Sequence, residues 1–134
     1  MSPNLALLVD NTENNALHLV SPLLRSKLHD SNWEIRDSAL EILITISTIA
    51  CTKFPSFQNM LINSNLITTT VNMSTSDSEG YVRASAIKCL QEMIKVNEFW
   101  NPILAQCQLP EKMVRILKHE TEGVVRKEAS CLMR

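Results

Sequence analysis

The sequence predicts an all-α fold in which short helical units repeat and stack, and two observations carry that expectation. The first is composition: 134 residues hold two glycines and five prolines, with 4% aromatic and 45% hydrophobic residues. A many-turned β fold needs glycine-rich turns and strands rich in β-branched and aromatic residues, so helices are favoured. The second is self-similarity. Asp30-Ser-Asn-Trp-Glu-Ile-Arg36-Asp-Ser-Ala39, Asp77-Ser-Glu-Gly-Tyr-Val-Arg83-Ala-Ser-Ala86 and Glu120-Thr-Glu-Gly-Val-Val-Arg126-Lys-Glu-Ala129 share an acid, a hydroxyl, an Ile/Val-Arg pair and an alanine. Their arginines lie 47 and 43 residues apart, the period of HEAT and armadillo arrays. The expected architecture is a HEAT/armadillo-type superhelix of about three repeats, one segment over 1–134 divided at about 15–50, 54–97 and 98–134.

Taken in chain order, residues 1 to about 11 carry no clear pattern. A first helix is expected at about 15–29, with Pro22 inside it to remove a backbone bond and kink it. The next helix opens at the signature. Ser31, Ser78 and Thr121 stand where an N-cap hydroxyl accepts an orphan backbone N–H, Ser31 and Glu34 complete a capping box, and Glu79 and Glu122 place negative charge at the positive helix end. Behind each arginine the apolar residues fall at helical spacing: Ile35, Ala39, Ile42, Leu43, Ile46; then Val82, Ala86, Leu90, Met93, Ile94; then Val125, Ala129, Leu132, Met133. Small Ala39, Ala86 and Ala129 allow close helix approach. The apolar run from Ile42 to Cys51 is too short to span a membrane and is interrupted by Thr45, Ser47 and Thr48, so a buried helix is expected there.

The second repeat divides into a short helix at about 56–63, a middle one at about 65–74 and a long one at about 79–97. The third repeats it, with Phe57, Leu61, Leu66 and Val71 matched by Trp100, Leu104, Leu109 and Val114. Trp100 and its neighbour Phe99 are therefore expected in the core. Arg134 stands only eight residues past Arg126, so the last repeat is expected to be truncated.

Candidate functional residues are few. Arg36, Arg83 and Arg126 have the fork geometry that reads phosphate or carboxylate, but stacked repeats bring equivalent acids and arginines side by side. A ladder is expected from Asp30, Arg36, Asp77, Arg83, Glu120 and Arg126, with Asp30 near Arg83 and Asp77 near Arg126. Trp33 replaces the glycine of the other repeats, Gly80 and Gly123, so it is either a partner contact or a lid on a neighbouring helix end. His29 and His119 share a repeat position and read as turn residues; His18 reads as a plain helix residue. Lys112, Arg115 and Lys118 form a short basic stripe, read as a solvated face.

Cys51, Cys89, Cys107 and Cys131 have no C-x-x-C spacing and no histidine at ligand distance, so no metal and no cofactor is expected. Without a leader pattern they read as reduced thiols of an intracellular protein. Asn72-Met73-Ser74 fits a glycosylation acceptor, which has no meaning in that compartment. No phosphate loop, nucleophile elbow or zincin motif is present, so no enzyme and no small-molecule substrate is expected. A formal net charge of -1 argues against nucleic acid and membrane surfaces.

Trp33-Glu-Ile-Arg-Asp-Ser-Ala-Leu-Glu-Ile-Leu43, followed by the signature at 77–86, resembles the C-terminal HEAT region of the ATM activator associated with the breast-cancer susceptibility protein. The resemblance covers roughly residues 20 to 100. It implies a non-enzymatic scaffold in nucleus and cytoplasm, linked to ATM kinase, the DNA-damage response and the RNA-cleaving subunits of the Integrator complex. The family's extreme C-terminal tail has no counterpart here, and no binding residue carries over. The alternatives are a generic HEAT adaptor, such as a phosphatase scaffold or transport receptor, and a nucleic-acid-binding helical repeat.

Overall fold

The computed structural model describes residues 19–50, 55–96 and 100–133. Residues 19–28 are the described part of α1. Helix α2 spans Trp33–Thr45 and runs into a π-helical turn, Ile46–Ala50. Then come α3 (Pro55–Asn63), α4 (Leu66–Ser76) and α5 (Gly80–Val96), followed by α6 (Trp100–Gln106), α7 (Leu109–His119) and α8 (Gly123–Leu132). No strand occurs among the described residues. His18, Cys51 and the side chains of Phe57, Phe99 and Trp100 lie outside them.

The helices form the all-α repeat expected. Helices α2, α5 and α8 pack side by side as one layer, α4 and α7 back α5 and α8, and α4 meets α7 across the repeat boundary. Ala39, Ala86 and Ala129 are fully buried where these helices meet, among Leu40, Leu43, Val82, Ile87, Leu90, Met93 and Val125, also fully buried. Each large side chain of that set contributes about 1.5–3 kcal/mol of transfer free energy. Three of the expected core positions are exposed instead: Ile42, Val114 and Met133. The buried stripe of α2 runs through Ala39, Leu40 and Leu43, which turns Ile42 outward. Val114 is exposed although its counterpart Val71, on the helix of the preceding repeat, is buried.

The apolar run after Ile42 is a helix only as far as Thr45. Beyond it the backbone widens into the π turn, where Thr45 Oγ1 donates to Glu41 O and both Ser47 Oγ and Thr48 Oγ1 donate to Ile44 O. Hydroxyls that bond back to helix carbonyls compete with the regular ladder, and α2 loses its 3.6-residue winding where three of them cluster.

The caps also differ from expectation. Ser31, Ser78 and Thr121 do not cap their helices; the acid one residue earlier instead closes the turn onto the N–H of the residue just ahead of each helix. Asp30 Oδ1 accepts from Asn32 N at 2.8 Å, Asp77 Oδ1 from Glu79 N at 3.0 Å and Glu120 Oε1 from Glu122 N at 3.1 Å. In α2 the N-cap is Asn32, whose Oδ1 accepts from Glu34 N at 3.0 Å. A carboxylate two residues ahead of an N–H closes an Asx-type turn more strongly than a hydroxyl does. The turns before α4 and α7 repeat as well: Asn65 and Gln108, 43 residues apart, both adopt left-handed backbone (φ 63° and 61°).

Candidate functional site

The signature turns link four of the six charged residues of the expected ladder, Arg36 with Asp77 and Arg83 with Glu120, but in the opposite sense. Arg36 Nε and Nη2 donate to the two carboxylate oxygens of Asp77, each at 2.9 Å, while Nη1 donates to Asp30 O at 2.8 Å. Arg83 Nη2 donates to Glu120 Oε1 at 2.7 Å and Nη1 to Asp77 O at 2.8 Å. Each arginine thus reaches forward to the acid of the following repeat, rather than each acid reaching forward to the following arginine. The pairs Asp30–Arg83 and Asp77–Arg126 do not form. The cause is local: six residues separate acid from arginine, which sets the guanidinium beside its own turn, where a backbone carbonyl fixes one nitrogen and the remaining edge points to the next turn. Asp30 serves only its own turn, and Arg126, exposed on α8, makes no ion pair among the described residues.

Both pairs are largely shielded from solvent, with 6–14% of each side chain exposed. The Asp77 hydrogen bond outweighs desolvation and holds the Arg36 guanidinium above its ordinary range. Burial disfavours the charged Glu120, but the hydrogen bond and charge of Arg83 and the N–H groups of Glu122 and Thr121 together hold its carboxyl below the ordinary carboxylate range. A second link between repeats was not legible beforehand: buried Gln91 of α5 donates through Nε2 to Glu128 O at 2.7 Å and Glu128 Oε2 at 3.0 Å. A third joins α7 to α4, where Lys112 Nζ meets Asn72 Oδ1 at 3.1 Å, so one member of the basic stripe spans two repeats while Arg115 and Lys118 are exposed.

The ladder fixes the spacing of α2, α5 and α8, and their outer side carries an open groove of about 310 Å³. Trp33 stands on the first turn of α2 and stacks on Tyr81 of α5, ring centroids 5.9 Å apart and planes 22° from parallel. Trp33 is 37% and Tyr81 60% exposed. Val124, one helix further, is also exposed, and the three side chains form an apolar rim over Ala84 and Ser85, with Asp37, Lys88 and Glu128 one to two turns along. The tryptophan therefore both covers a neighbouring first turn and remains open to solvent. Tyr81 was missed because its pairing crosses repeats; the usable signal was an aromatic residue at a position held by Glu34 and Val124 elsewhere.

The histidines lie at helix ends. His29 Nδ1 sits 2.8 Å from Arg25 O, and His119 ends α7; both are exposed. Cys89 is buried, Cys107 half-buried and Cys131 exposed, all three as free thiols. Among the described residues no group of His, Cys, Asp and Glu is placed to hold a metal ion, and no helix is long and apolar enough to cross a membrane.

Comparison with known proteins places this arrangement in context. A family model described as Integrator complex assembly factor BRAT1 matches residues 5–131. The zebrafish (Danio rerio) protein of that name is 34% identical over 110 residues, a match that covers 79% of this chain and 13% of the zebrafish protein.

Proposed function

Because the chain belongs to the Integrator complex assembly factor BRAT1 family, we propose that it acts as a non-enzymatic protein-binding scaffold in assembly of the Integrator complex. The family match over residues 5–131 carries this reading. It is supported by the outer face of α2, α5 and α8, where exposed Trp33 and Tyr81 offer the residue types that dominate protein interfaces. In this reading the chain is one continuous helical-repeat segment of the HEAT type, with repeats at about 15–50, 54–97 and 98–134, and its partners are the endonuclease subunits of Integrator. ATM-type kinase is the second partner, which connects the segment to DNA-damage signalling, and the segment works in nucleus and cytoplasm.

The test is affinity capture from nuclear extract with the wild-type chain and with Trp33→Ala, both shown folded by circular dichroism. The expected result is recovery of Integrator endonuclease subunits or ATM kinase by the wild type and a marked loss with the variant. If the folded wild-type chain recovers neither, this segment is not the one that contacts them.

A further inference from the structure

The groove over α2, α5 and α8 also indicates what kind of partner surface fits it, an inference that rests on the scaffold reading above. We propose that it receives a lysine- or arginine-bearing segment of a protein partner, its cation lodged over the Trp33–Tyr81 pair and against Asp37. The first support is charge. Asp37 lines the groove, yet it makes no ion pair among the described residues, and its Oδ1 is shut off from solvent without a hydrogen-bond partner. A carboxylate left uncompensated in a half-buried position gains from an incoming cation what the fold itself does not supply. Glu34 and Glu41 are exposed on the same helix and Glu128 closes the far side, so the field over α2 is negative.

The second support is the rim. Aromatic faces attract cations, Trp most strongly, and Tyr81 leaves more than half of its surface open beside Trp33. Val124 and Ala84 provide an apolar bed for the methylene stem of a lysine or arginine. Lys88 is the one cation among the described lining residues, and it makes no ion pair among them; it would meet an incoming cation as a repulsive neighbour. In the lining the acids Asp37 and Glu128 outnumber Lys88, while the stripe of Lys112, Arg115 and Lys118 lies apart from it on α7.

The experiment is fluorescence anisotropy with fluorescein-labelled hexa-arginine and, as the opposite probe, hexa-glutamate. Wild-type chain is expected to bind hexa-arginine in preference to hexa-glutamate. Asp37→Asn, nearly isosteric, is expected to weaken that binding about five- to tenfold, Trp33→Ala to a similar degree, and Lys88→Glu to strengthen it severalfold. Lys118→Glu on α7 is expected to leave the effect of Asp37→Asn unchanged. Thermal melts of each variant separate loss of binding from loss of fold, and Asp37→Asn carries the test if Trp33→Ala unfolds. Equal binding by wild type and Asp37→Asn, or equal affinity for the acidic probe, would overturn the proposal. Capture of Integrator subunits from nuclear extract is run in parallel. Recovery by both proteins with Asp37-independent anisotropy removes the groove and keeps the scaffold reading; Asp37-dependent anisotropy without Integrator recovery removes that reading and keeps the groove.

Discussion

Arg36 shows how one side chain can bind two repeats together. Its guanidinium makes two hydrogen bonds to Asp77 and one to the carbonyl of Asp30, and Arg36→Ala leaves the Asp77 carboxylate with only the N–H of Glu79. Loss of charged hydrogen bonds at a site this shielded is expected to cost about 1.5–3 kcal/mol, read as a lower urea midpoint. Glu120 adds a pH dependence. Its folded carboxyl is held below the ordinary range, so its contribution is fully present above the unfolded value, about 4.3, and is lost as pH falls through the lower folded value. Wild-type chain is expected to lose stability across that acid window, and Glu120→Gln to flatten the loss, checked by thermal melts from pH 6 down to 3. Burial pushes the Cys89 thiol up to about 12, which leaves it protonated and unreactive at neutral pH. Iodoacetamide and mass spectrometry are expected to find Cys131 alkylated in the native chain and Cys89 only after denaturation.

At the scale of elements, the turns before α4 and α7 solve the same problem with different residues. Asparagine tolerates left-handed backbone better than glutamine, so Asn65 holds its turn at lower strain than Gln108. Gln108→Asn is expected to stabilise the chain by a few tenths to about 1 kcal/mol, measured as a higher melting temperature; no change would mean the strain is relieved elsewhere. The long helices were legible because their signals are local: the Asp-Ser turn, the apolar stripe and the buried alanine all sit within one helix. Helices α3, α4 and α5 fall within one or two residues of the expected bounds for that reason. The caps were misassigned because hydroxyl and acid are adjacent in each signature, and only the turn's path decides which reaches the free N–H groups. The π turn after α2 escaped because it arises from three hydroxyls acting together on the carbonyls behind them.

At the scale of the whole molecule, stability in a stacked array is a sum of units and the contacts between neighbours. Removing both forward arginines, Arg36→Ala with Arg83→Ala, is expected to uncouple the repeats: the urea transition should broaden and its slope fall, since intermediates then accumulate. A sharp transition with an unchanged slope would show that the α2–α5–α8 core alone enforces cooperativity. The row of acids and arginines could be read from the chain, whereas its sense could not, because that depends on which side of each turn the next repeat stacks. The groove was half legible for the same reason: Trp33 stood out against two glycines, but Tyr81 and Asp37 gain their meaning only from a neighbour roughly one repeat away. The forward sense of the ladder gives each unit a distinct front and back, a carboxylate on one side and a guanidinium on the other. Any unit that carries both can be duplicated in tandem without redesigning its contacts, while a unit placed back to front would set arginine against arginine. Growth of such an array by copying whole repeats, and its resistance to inversion, follow from a single six-residue spacing.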